Sequence, residues 1–281
     1  MALKTLSEVL NASVADHKAT FAFNAHVLDM IPQLVNTAEE FQIPLIIQIT
    51  EDTLQFSGIS HVMNVARGAI DRSSVSIVLH YDHGKELDRI KECIDAGFSS
   101  VMFDGSTLPF NENASKTTEI VEYAHQAGVS VEAELGHVGM AHENNDDQDQ
   151  VLTVPEEAQK FVSLTNVDAL AVAIGTSHGI YKGPVHLDIE RLKEIRKLVS
   201  VPLVLHGGSG VGQSELKEAI RHGIVKVNIA SELKAPWAKA VREYLNENPK
   251  EFDPRKILAP ANQAYRRAVL EKLALVGLIH K

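Results

Sequence analysis

Short apolar stretches alternate with longer segments of helical spacing along the whole chain. We identify eight short runs rich in β-branched residues, at 19–24, 44–50, 75–80, 99–104, 129–135, 168–175, 202–207 and 225–230. The segments between them carry apolar residues three and four positions apart, which is typical of amphipathic helices. The runs themselves are too continuously apolar for half-exposed antiparallel strands, so the pattern predicts parallel strands buried beneath helices.

Eight consecutive strand-helix repeats favour an α/β fold of the (β/α)8 TIM-barrel type, with an open doubly wound sheet as the structural alternative. We see no linker or shift in composition that would divide the chain, so residues 1–281 are expected to form a single barrel domain. Residues 231–281 extend past the eighth run and have helical spacing. They are predicted to form extra C-terminal helices.

Composition and charge narrow the class of protein. The 281 residues are 44% hydrophobic and 23% charged, which is ordinary for a soluble protein with a sizeable core. The formal net charge of −10 argues against a nucleic-acid or anionic-membrane partner. With no signal-peptide pattern or apolar run long enough to cross a bilayer, a cytoplasmic location is expected. The single cysteine, Cys93, is expected to pack as a small buried hydrophobe.

Polar side chains collect near the C-terminal ends of the predicted strands, where barrel enzymes place their catalytic groups. They are Asn24, His80, Asp82, His83, Asp104, Glu132, Glu134, His178, Lys182, His206 and Asn228. His125 and His222 instead precede glycines at predicted helix ends, where a structural role fits better.

His83, His178 and His206 come from three different strand ends that a closed barrel directs into one mouth. Three histidines with an open position form a typical catalytic site for a divalent metal. Imidazole ligands favour Zn²⁺, with Co²⁺ or Mn²⁺ as alternatives. The spacing leaves open whether His80 or His83 is the ligand from the third strand.

Two turns after the last strands are suited to hold a phosphate group. The stretches "HGGSGVG" at 206–212 and "NIASELK" at 228–234 follow the seventh and eighth runs. Barrels frequently bind phosphate there, through backbone N–H groups at helix N-termini. Gly207 and Gly208 permit tight turns, Ser209 and Ser231 add hydroxyl donors, and Ser231 also fits a helix N-cap.

One long stretch, 136–152, lacks any period and is rich in Asn, Asp and Gln. Long irregular loops within compact domains are often active-site lids. Because this one directly follows the strand that carries Glu132 and Glu134, we expect it to border the site.

The motifs "LHYDHG", "VEAELG", "AIGTSHGIYKG", "LHGGSG" and "KVNIASEL" occur in this order. Together they resemble the class II, zinc-dependent ketose-bisphosphate aldolases, over nearly the whole chain. The resemblance implies that His83, His178 and His206 bind the metal and that Asp82 is the acid/base at the C4 hydroxyl. It places Asp104 and Glu134 near the metal, and makes His80 a lining residue. It places Gly179, Lys182, Gly207, Ser209, Ala230 and Ser231 at the dihydroxyacetone-phosphate end, and Asn228 matches a residue that contacts the substrate. Asn24, after the first run, and Gly208, in the turn after the seventh, are further candidates for substrate binding.

The same resemblance implies a carbon–carbon lyase of glycolysis or related carbohydrate metabolism. Such an enzyme reversibly cleaves a ketose 1,6-bisphosphate, of the fructose or tagatose type, to dihydroxyacetone phosphate and glyceraldehyde 3-phosphate. The cleavage leaves a carbanion, which a divalent metal stabilises as an enediolate. A homodimer or homotetramer, and a monovalent cation such as Na⁺ or K⁺, are further expectations.

The sequence departs from the family pattern at several points. In the family a loop glutamate exchanges the C3 proton, and Glu143 is the nearest candidate, although an ungapped match places His142 there. Ala230 replaces an aspartate that is common in fructose-bisphosphate enzymes, which favours the tagatose type. Arg266 or Arg267 is a candidate for the distal phosphate, with solvated helix charges as the alternative.

Other functions remain open at this point. A Schiff-base aldolase would use Lys226 on the eighth strand as its amine. A TIM-barrel metal hydrolase would use three histidines and a carboxylate to activate water. An aldolase for a related phosphorylated ketose and a non-catalytic sugar-phosphate barrel are the remaining alternatives.

Overall fold

The computed structural model describes residues 2–140 and 150–279, and it contains a closed eight-stranded parallel barrel with the strands in sequence order. The strands are β1 Thr20–Asn24, β2 Leu45–Thr50, β3 Ile77–Gly84, β4 Ser100–Phe103, β5 Ser130–Leu135, β6 Ala169–Val172, β7 Leu203–Leu205 and β8 Ile224–Ile229. All eight predicted strands are present. The predicted TIM barrel is therefore confirmed, and the open-sheet alternative is wrong.

Apart from the first, the helices follow the strands and cover the outside of the barrel. They are α1 Leu6–Ala15, α2 Met30–Phe41, α3 Glu51–Ser57, α4 Ile59–Ile70, α5 Leu87–Ala96, α6 Phe110–Gln126, α7 Pro155–Thr165, α8 Ile189–Leu198, α9 Gln213–Arg221, α10 Ser231–Glu247 and α11 Pro254–Leu275. The two last helices confirm the predicted C-terminal extension. No helix among residues 2–140 and 150–279 combines the length and apolarity needed to span a membrane.

Helix α1 precedes the first strand and closes the N-terminal end of the barrel. Its buried residues Leu6, Val9 and Leu10 form one apolar cluster with inward-facing residues of the strands. Those partners are Ala22, Ile46, Val78, Ala169, Ala171, Val204 and Val225. Thr5 caps α1 in a reciprocal capping box with Glu8, which fixes where the helix begins.

The interior of the barrel changes from apolar to polar towards the C-terminal ends of the strands. Alternate residues of a strand point to the same face, so Val78, His80 and Asp82 of β3 all face inward. Val78 belongs to the apolar cluster beside α1, whereas His80 and Asp82 are buried polar residues. The apolar N-terminal end packs as part of the core, whereas the C-terminal end holds the polar side chains of the barrel interior.

Candidate active site

Strand β3 carries an irregularity that turns two neighbouring side chains into the same space. Tyr81 pairs with Val101 and Gly84 pairs with Phe103. Between these pairs β3 contains one residue more than β4, which is a β-bulge. His83 lies within this bulge and has a left-handed φ of 56°. In a regular strand Asp82 and His83 would face opposite sides, but the bulge redirects His83 into the barrel mouth.

The position of the polar residues relative to β3 differs from the prediction. The third run was expected to end at His80, whereas the strand continues to Gly84. Asp82 and His83 therefore lie within the strand and not in a loop after it. The polar residues suggested that the strand ended at His80, but the barrel interior at this end is itself polar, so polar side chains occur within the strand.

Three histidines from separate elements meet at the mouth. The ring centroid of His83 lies 4.9 Å from that of His178 and 4.7 Å from that of His206, and the latter two are 5.8 Å apart. One nitrogen from each ring lies within 4.8 Å of one nitrogen from each of the others. The structure thus brings together the three residues that the sequence nominated as metal ligands.

Two carboxylates complete the cluster around the histidines. Asp104 Oδ2 lies 2.9 Å from His83 Nδ1, which leaves Nε2 of that ring for other contacts. Glu134 Oε2 lies 3.3 Å from His206 Nδ1. His83, Asp104 and Glu134 also form a group whose ligand atoms lie within 4.8 Å of one another. Both carboxylates thus lie beside the three histidines.

Metal binding requires neutral imidazoles and ionised carboxylates, and two groups of the cluster, His178 and Asp104, are in these forms. Burial, together with the neighbouring His83 and His206, lowers the pKa of His178 to about 4. Burial alone would raise the pKa of Asp104, but the hydrogen bond from His83 holds it well below its usual range. His178 is therefore uncharged and Asp104 ionised at neutral pH.

His206 differs from His178 because two buried carboxylates face it. Burial lowers the pKa of His206, yet Glu132 and Glu134 raise it more strongly, to about 10. The two carboxylates therefore favour the protonated form of His206. A divalent cation placed here would displace that proton and take over its contacts with the carboxylates.

Asp82 is held by two side-chain amides within the barrel. Gln48 Nε2 donates to Asp82 Oδ1 over 2.8 Å, and Asn24 Nδ2 donates to Oδ2 over 3.1 Å. Burial would raise the pKa of Asp82, but His83 and Lys226 lower it below its ordinary value. The carboxylate is therefore oriented and ionised beside the three histidines. Asn24 was nominated from the sequence, whereas Gln48 was missed because it lies inside an apolar run.

The turns after β7 and β8 join to form one small cradle. Gly208 N donates to Asn228 O over 3.1 Å, and Ala230 N donates to Ser209 Oγ over 3.1 Å. Gly207 has a φ of 63°, and a Cβ on it would lie 2.5 Å from Ser177 O. These residues therefore pack too closely for a larger side chain at 207, as expected of a loop that approaches a ligand with its backbone.

Ser231 does not cap α10, contrary to the prediction. The helix begins at Ser231 itself, and the N-cap position belongs to Ala230 without a side-chain hydrogen bond. The hydroxyl that accepts backbone N–H groups at this helix start belongs to Ser209, from the preceding turn. A hydroxyl reaching across from another loop is not visible in local sequence spacing.

The remaining candidates lie on the loops around this mouth. Gly179, with a φ of 123°, and Lys182 belong to the segment between β6 and α8. Tyr181 OH donates to Gly207 O over 2.9 Å, which ties this segment to the turn after β7. Glu143, the nominated loop base, and His142 lie outside the described residues.

The first part of the loop after β5 packs against the site. His178 N donates to Gly139 O over 2.7 Å, and Val138 N donates to Glu134 Oε1 over 3.0 Å. The two sides of the loop also pair between His137 and Val151. The expected placement of this loop beside the site therefore holds for its described ends.

Several residues fall outside the cluster. Arg266 forms an ion pair with Glu40 of α2, and Arg267 is exposed on α11. His125 contacts Asp168, and His222 contacts Glu218, each at the end of a helix. Cys93 is buried, as predicted. The ion pair of Arg266 fits its alternative role as a helix surface charge. The contacts of His125 and His222 fit the structural role expected of them at helix ends.

Comparison with known proteins identifies the family. The family model described as fructose-bisphosphate aldolase class II matches residues 4–281. A fructose-bisphosphate aldolase from Geobacillus stearothermophilus is 37% identical over 280 residues, covering 99% of this chain and 98% of that protein.

Solved structures agree with this assignment. The YdjI aldolase from Escherichia coli K12 superimposes with a TM-score of 0.83 at 32% identity, covering 98% of this chain and 97% of the other. A fructose-bisphosphate aldolase from Campylobacter jejuni has a TM-score of 0.84 at 23% identity, covering 99% and 96%, and supports the fold alone. The chain belongs to the class II fructose-bisphosphate aldolase family and is an aldehyde-lyase.

Proposed function

We propose that this protein reversibly cleaves a ketose 1,6-bisphosphate to dihydroxyacetone phosphate and glyceraldehyde 3-phosphate, with a divalent metal at the three histidines. The observation that carries the proposal is the meeting of His83, His178 and His206 beside the ionised Asp82. Aldol cleavage needs both a Lewis acid and a proton acceptor next to it. A cradle built from two glycine-bearing turns supplies the third requirement, a place for phosphate.

The residues around the histidines fit a divalent ion. His206 Nδ1 and Glu134 Oε2 are buried and have no hydrogen-bond partner among the described residues, as expected of atoms reserved for a cation. His83, His178 and His206 would hold the ion, with Asp104 or Glu134 available beside them. Three imidazoles favour Zn²⁺, and Co²⁺ or Mn²⁺ suit the same donors. When bound, such an ion offsets the negative charge that develops on the ketose fragment during cleavage.

Asp82 is the residue that we assign to proton transfer at the C4 hydroxyl. Its carboxylate takes the hydroxyl proton during cleavage and returns it during condensation. The amides of Gln48 and Asn24 keep both carboxylate oxygens in fixed directions. Because His83 and Lys226 hold the pKa of Asp82 below its ordinary value, the carboxylate is ready to accept a proton at neutral pH.

The cradle between β7 and β8 is the proposed site of the dihydroxyacetone-phosphate end. The start of α10 presents a favourable dipole to an anion at the point where Ser209 Oγ accepts the N–H groups of Ala230 and Glu232. Gly207, Gly208 and Ser209 approach it from the facing turn. The site thus attracts phosphate locally although the whole chain carries a net charge of −10.

The structure also bears on the Schiff-base alternative. Lys226 is fully buried, and its Nζ lies 2.8 Å from Glu132 Oε2. A Schiff-base lysine must present its amine to the substrate carbonyl, whereas the Nζ of Lys226 is held against a buried carboxylate. This contact favours the metal-dependent mechanism.

The substrate's C4 configuration is tested by comparing fructose 1,6-bisphosphate and tagatose 1,6-bisphosphate with the purified, zinc-loaded protein. Release of dihydroxyacetone phosphate is measured for each. We expect cleavage of at least one, and Ala230 favours the tagatose epimer. Cleavage of neither, with activity on a related phosphorylated ketose, would reassign the substrate. Absence of any aldol cleavage would contradict the proposed function.

A further inference from the structure

Glu132 lies at the centre of a charged contact network inside the barrel that the reaction itself does not use. Glu132, His206 and Lys226 all have completely buried side chains. Glu132 Oε1 lies 2.8 Å from His206 Nε2, and its Oε2 lies 2.8 Å from Lys226 Nζ. Each carboxylate oxygen therefore has its own partner, His206 directly after β7 and Lys226 within β8.

The contact from Glu132 determines which nitrogen of His206 faces the metal site. Because Nε2 is engaged by Glu132, Nδ1 is the nitrogen left for the cluster. That atom is buried, has no hydrogen-bond partner among the described residues and lies 3.3 Å from Glu134 Oε2. The orientation of the ring and the availability of Nδ1 thus depend on one carboxylate.

Lys226 explains how Glu132 can remain ionised in this position. A buried carboxylate is costly unless an opposite charge and hydrogen bonds accompany it. Lys226 extends from β8 into the barrel interior and supplies the positive charge. His80 Nε2 lies farther from Glu132, at 3.9 Å, and its Nδ1 contacts Ser100 Oγ at 2.8 Å. The ammonium group is therefore the close cationic partner of Oε2.

We infer that Glu132 is a positioning residue for metal binding: fixed by Lys226, it holds the hydrogen of His206 on Nε2 and turns Nδ1 towards the ion. Carboxylates that accept the second N–H of a ligand histidine typically change metal affinity by about 10- to 100-fold. This inference rests on the proposed metal site. It assigns to Glu132 and Lys226 a role distinct from contact with substrate.

Two variants separate positioning from simple support of the fold. Glu132→Gln keeps the shape but removes the charge that directs His206. Because it leaves Lys226 unpaired inside the barrel, the double variant E132Q/K226M removes both charges together. Glu218→Gln is the matched control, since Glu218 contacts His222 over 3.0 Å at the end of α9, away from the mouth. Circular dichroism and thermal unfolding of each metal-free protein check that it is folded.

The measurement is the Zn²⁺ dissociation constant, obtained by competition with a chromophoric chelator. We expect about 10- to 100-fold weaker binding in both Glu132 variants and wild-type affinity in Glu218→Gln. At saturating Zn²⁺ the Glu132→Gln variant should regain most of its cleavage rate, because the loss lies in metal affinity. Wild-type Zn²⁺ affinity in either folded Glu132 variant would overturn the inference.

A second observation needs no variant and therefore does not depend on folding. In a crystal structure of the zinc-loaded wild-type protein, His206 should bind Zn²⁺ through Nδ1 while Nε2 contacts Glu132. Coordination through Nε2 would overturn the inference. Wild-type protein that binds zinc in this way but cleaves no ketose phosphate would instead contradict the proposed function and leave the role of Glu132 supported.

Discussion

The side-chain amide of Gln48 donates a 2.8 Å hydrogen bond to Oδ1 of Asp82 inside the barrel. Gln48 comes from β2 and Asp82 from β3, and both are buried. This hydrogen bond fixes the orientation of the Asp82 carboxylate, and because the amide donates to it, the bond favours the ionised form of Asp82. A residue without acid-base chemistry of its own thus prepares the proposed proton acceptor.

Replacement of Gln48 by glutamate should weaken catalysis and shift its pH dependence. A second carboxylate beside Asp82 raises the pKa of Asp82, so the ionised form is lost at a higher pH. We expect the acid limb of the pH profile of kcat to move upwards and kcat at neutral pH to fall. Gln55→Glu is the control, because Gln55 contacts Glu51 on the outside of the barrel. An unchanged acid limb in Gln48→Glu would show that Gln48 does not tune Asp82.

Asp82→Asn should abolish most of the cleavage while leaving metal binding intact. An amide cannot accept the C4 hydroxyl proton, and loss of a general base typically costs about 10²- to 10⁴-fold in rate. Steady-state cleavage and zinc content of the purified variant test this together. Asp95→Asn, which alters a surface aspartate bound to Tyr123, should retain both properties. A cleavage rate within a few fold of wild type would remove Asp82 from the mechanism.

Gly207→Ala should weaken binding of the phosphate end. The added Cβ would lie 2.5 Å from Ser177 O, and φ at this position is 63°, so the turn must move. We expect KM to rise on the order of tenfold, equivalent to about 1.4 kcal/mol. Gly212→Ala is the matched control, since nothing lies within 4 Å of a Cβ there. Equal KM values for the two variants would argue against a phosphate site in this turn.

Glu51 is expected to stabilise the barrel in a pH-dependent way. Its Oε2 accepts hydrogen bonds from Tyr81 OH and Arg89 Nε, both at 2.9 Å. Burial raises the pKa of Glu51, but the contact with Arg89 and the hydrogen bond from Tyr81 bring it below the ordinary value of 4.5. A lowered pKa means that the stabilisation is complete above pH 4.5 and is lost as the pH falls further.

The corresponding variant is Glu51→Gln. At pH 7 its free energy of unfolding, from urea titration, should be about 1–2 kcal/mol below that of the wild type. The difference should shrink as the pH falls from 4.5 through the lowered pKa of Glu51, where the folded wild type takes up a proton. Glu92→Gln changes an exposed partner of the same Arg89 and serves as the control. A difference that stayed constant down to acidic pH would exclude an electrostatic origin.

The strand pattern of the fold could be predicted from sequence because it depends on local periodicity. Each of the eight apolar runs is a strand, and the helical spacing after 230 corresponds to α10 and α11. Barrel closure then places strand ends together, which is why His83, His178 and His206 could be grouped although they are far apart in sequence. The local periodicity thus predicts the barrel, and the barrel in turn predicts the histidine cluster.

Features that depend on register between strands could not be predicted in this way. The bulge at His83 is defined by how β3 pairs with β4, and the residue types around it do not indicate its position. The partners of Asp82 and His206, namely Gln48 and Glu132, sit within apolar runs and look like ordinary strand residues. Glu132 was noticed as a strand carboxylate, but its contact with Lys226 is visible only in three dimensions.

The claim that His83, His178 and His206 share one divalent ion is tested most directly by anomalous X-ray diffraction from crystals of the zinc-loaded protein. Data collected on both sides of the zinc absorption edge locate the ion independently of any chemical assumption. We expect a single strong peak about 2.0–2.1 Å from one nitrogen of each histidine. A peak bound elsewhere, or none between these three rings at saturating zinc, would contradict it.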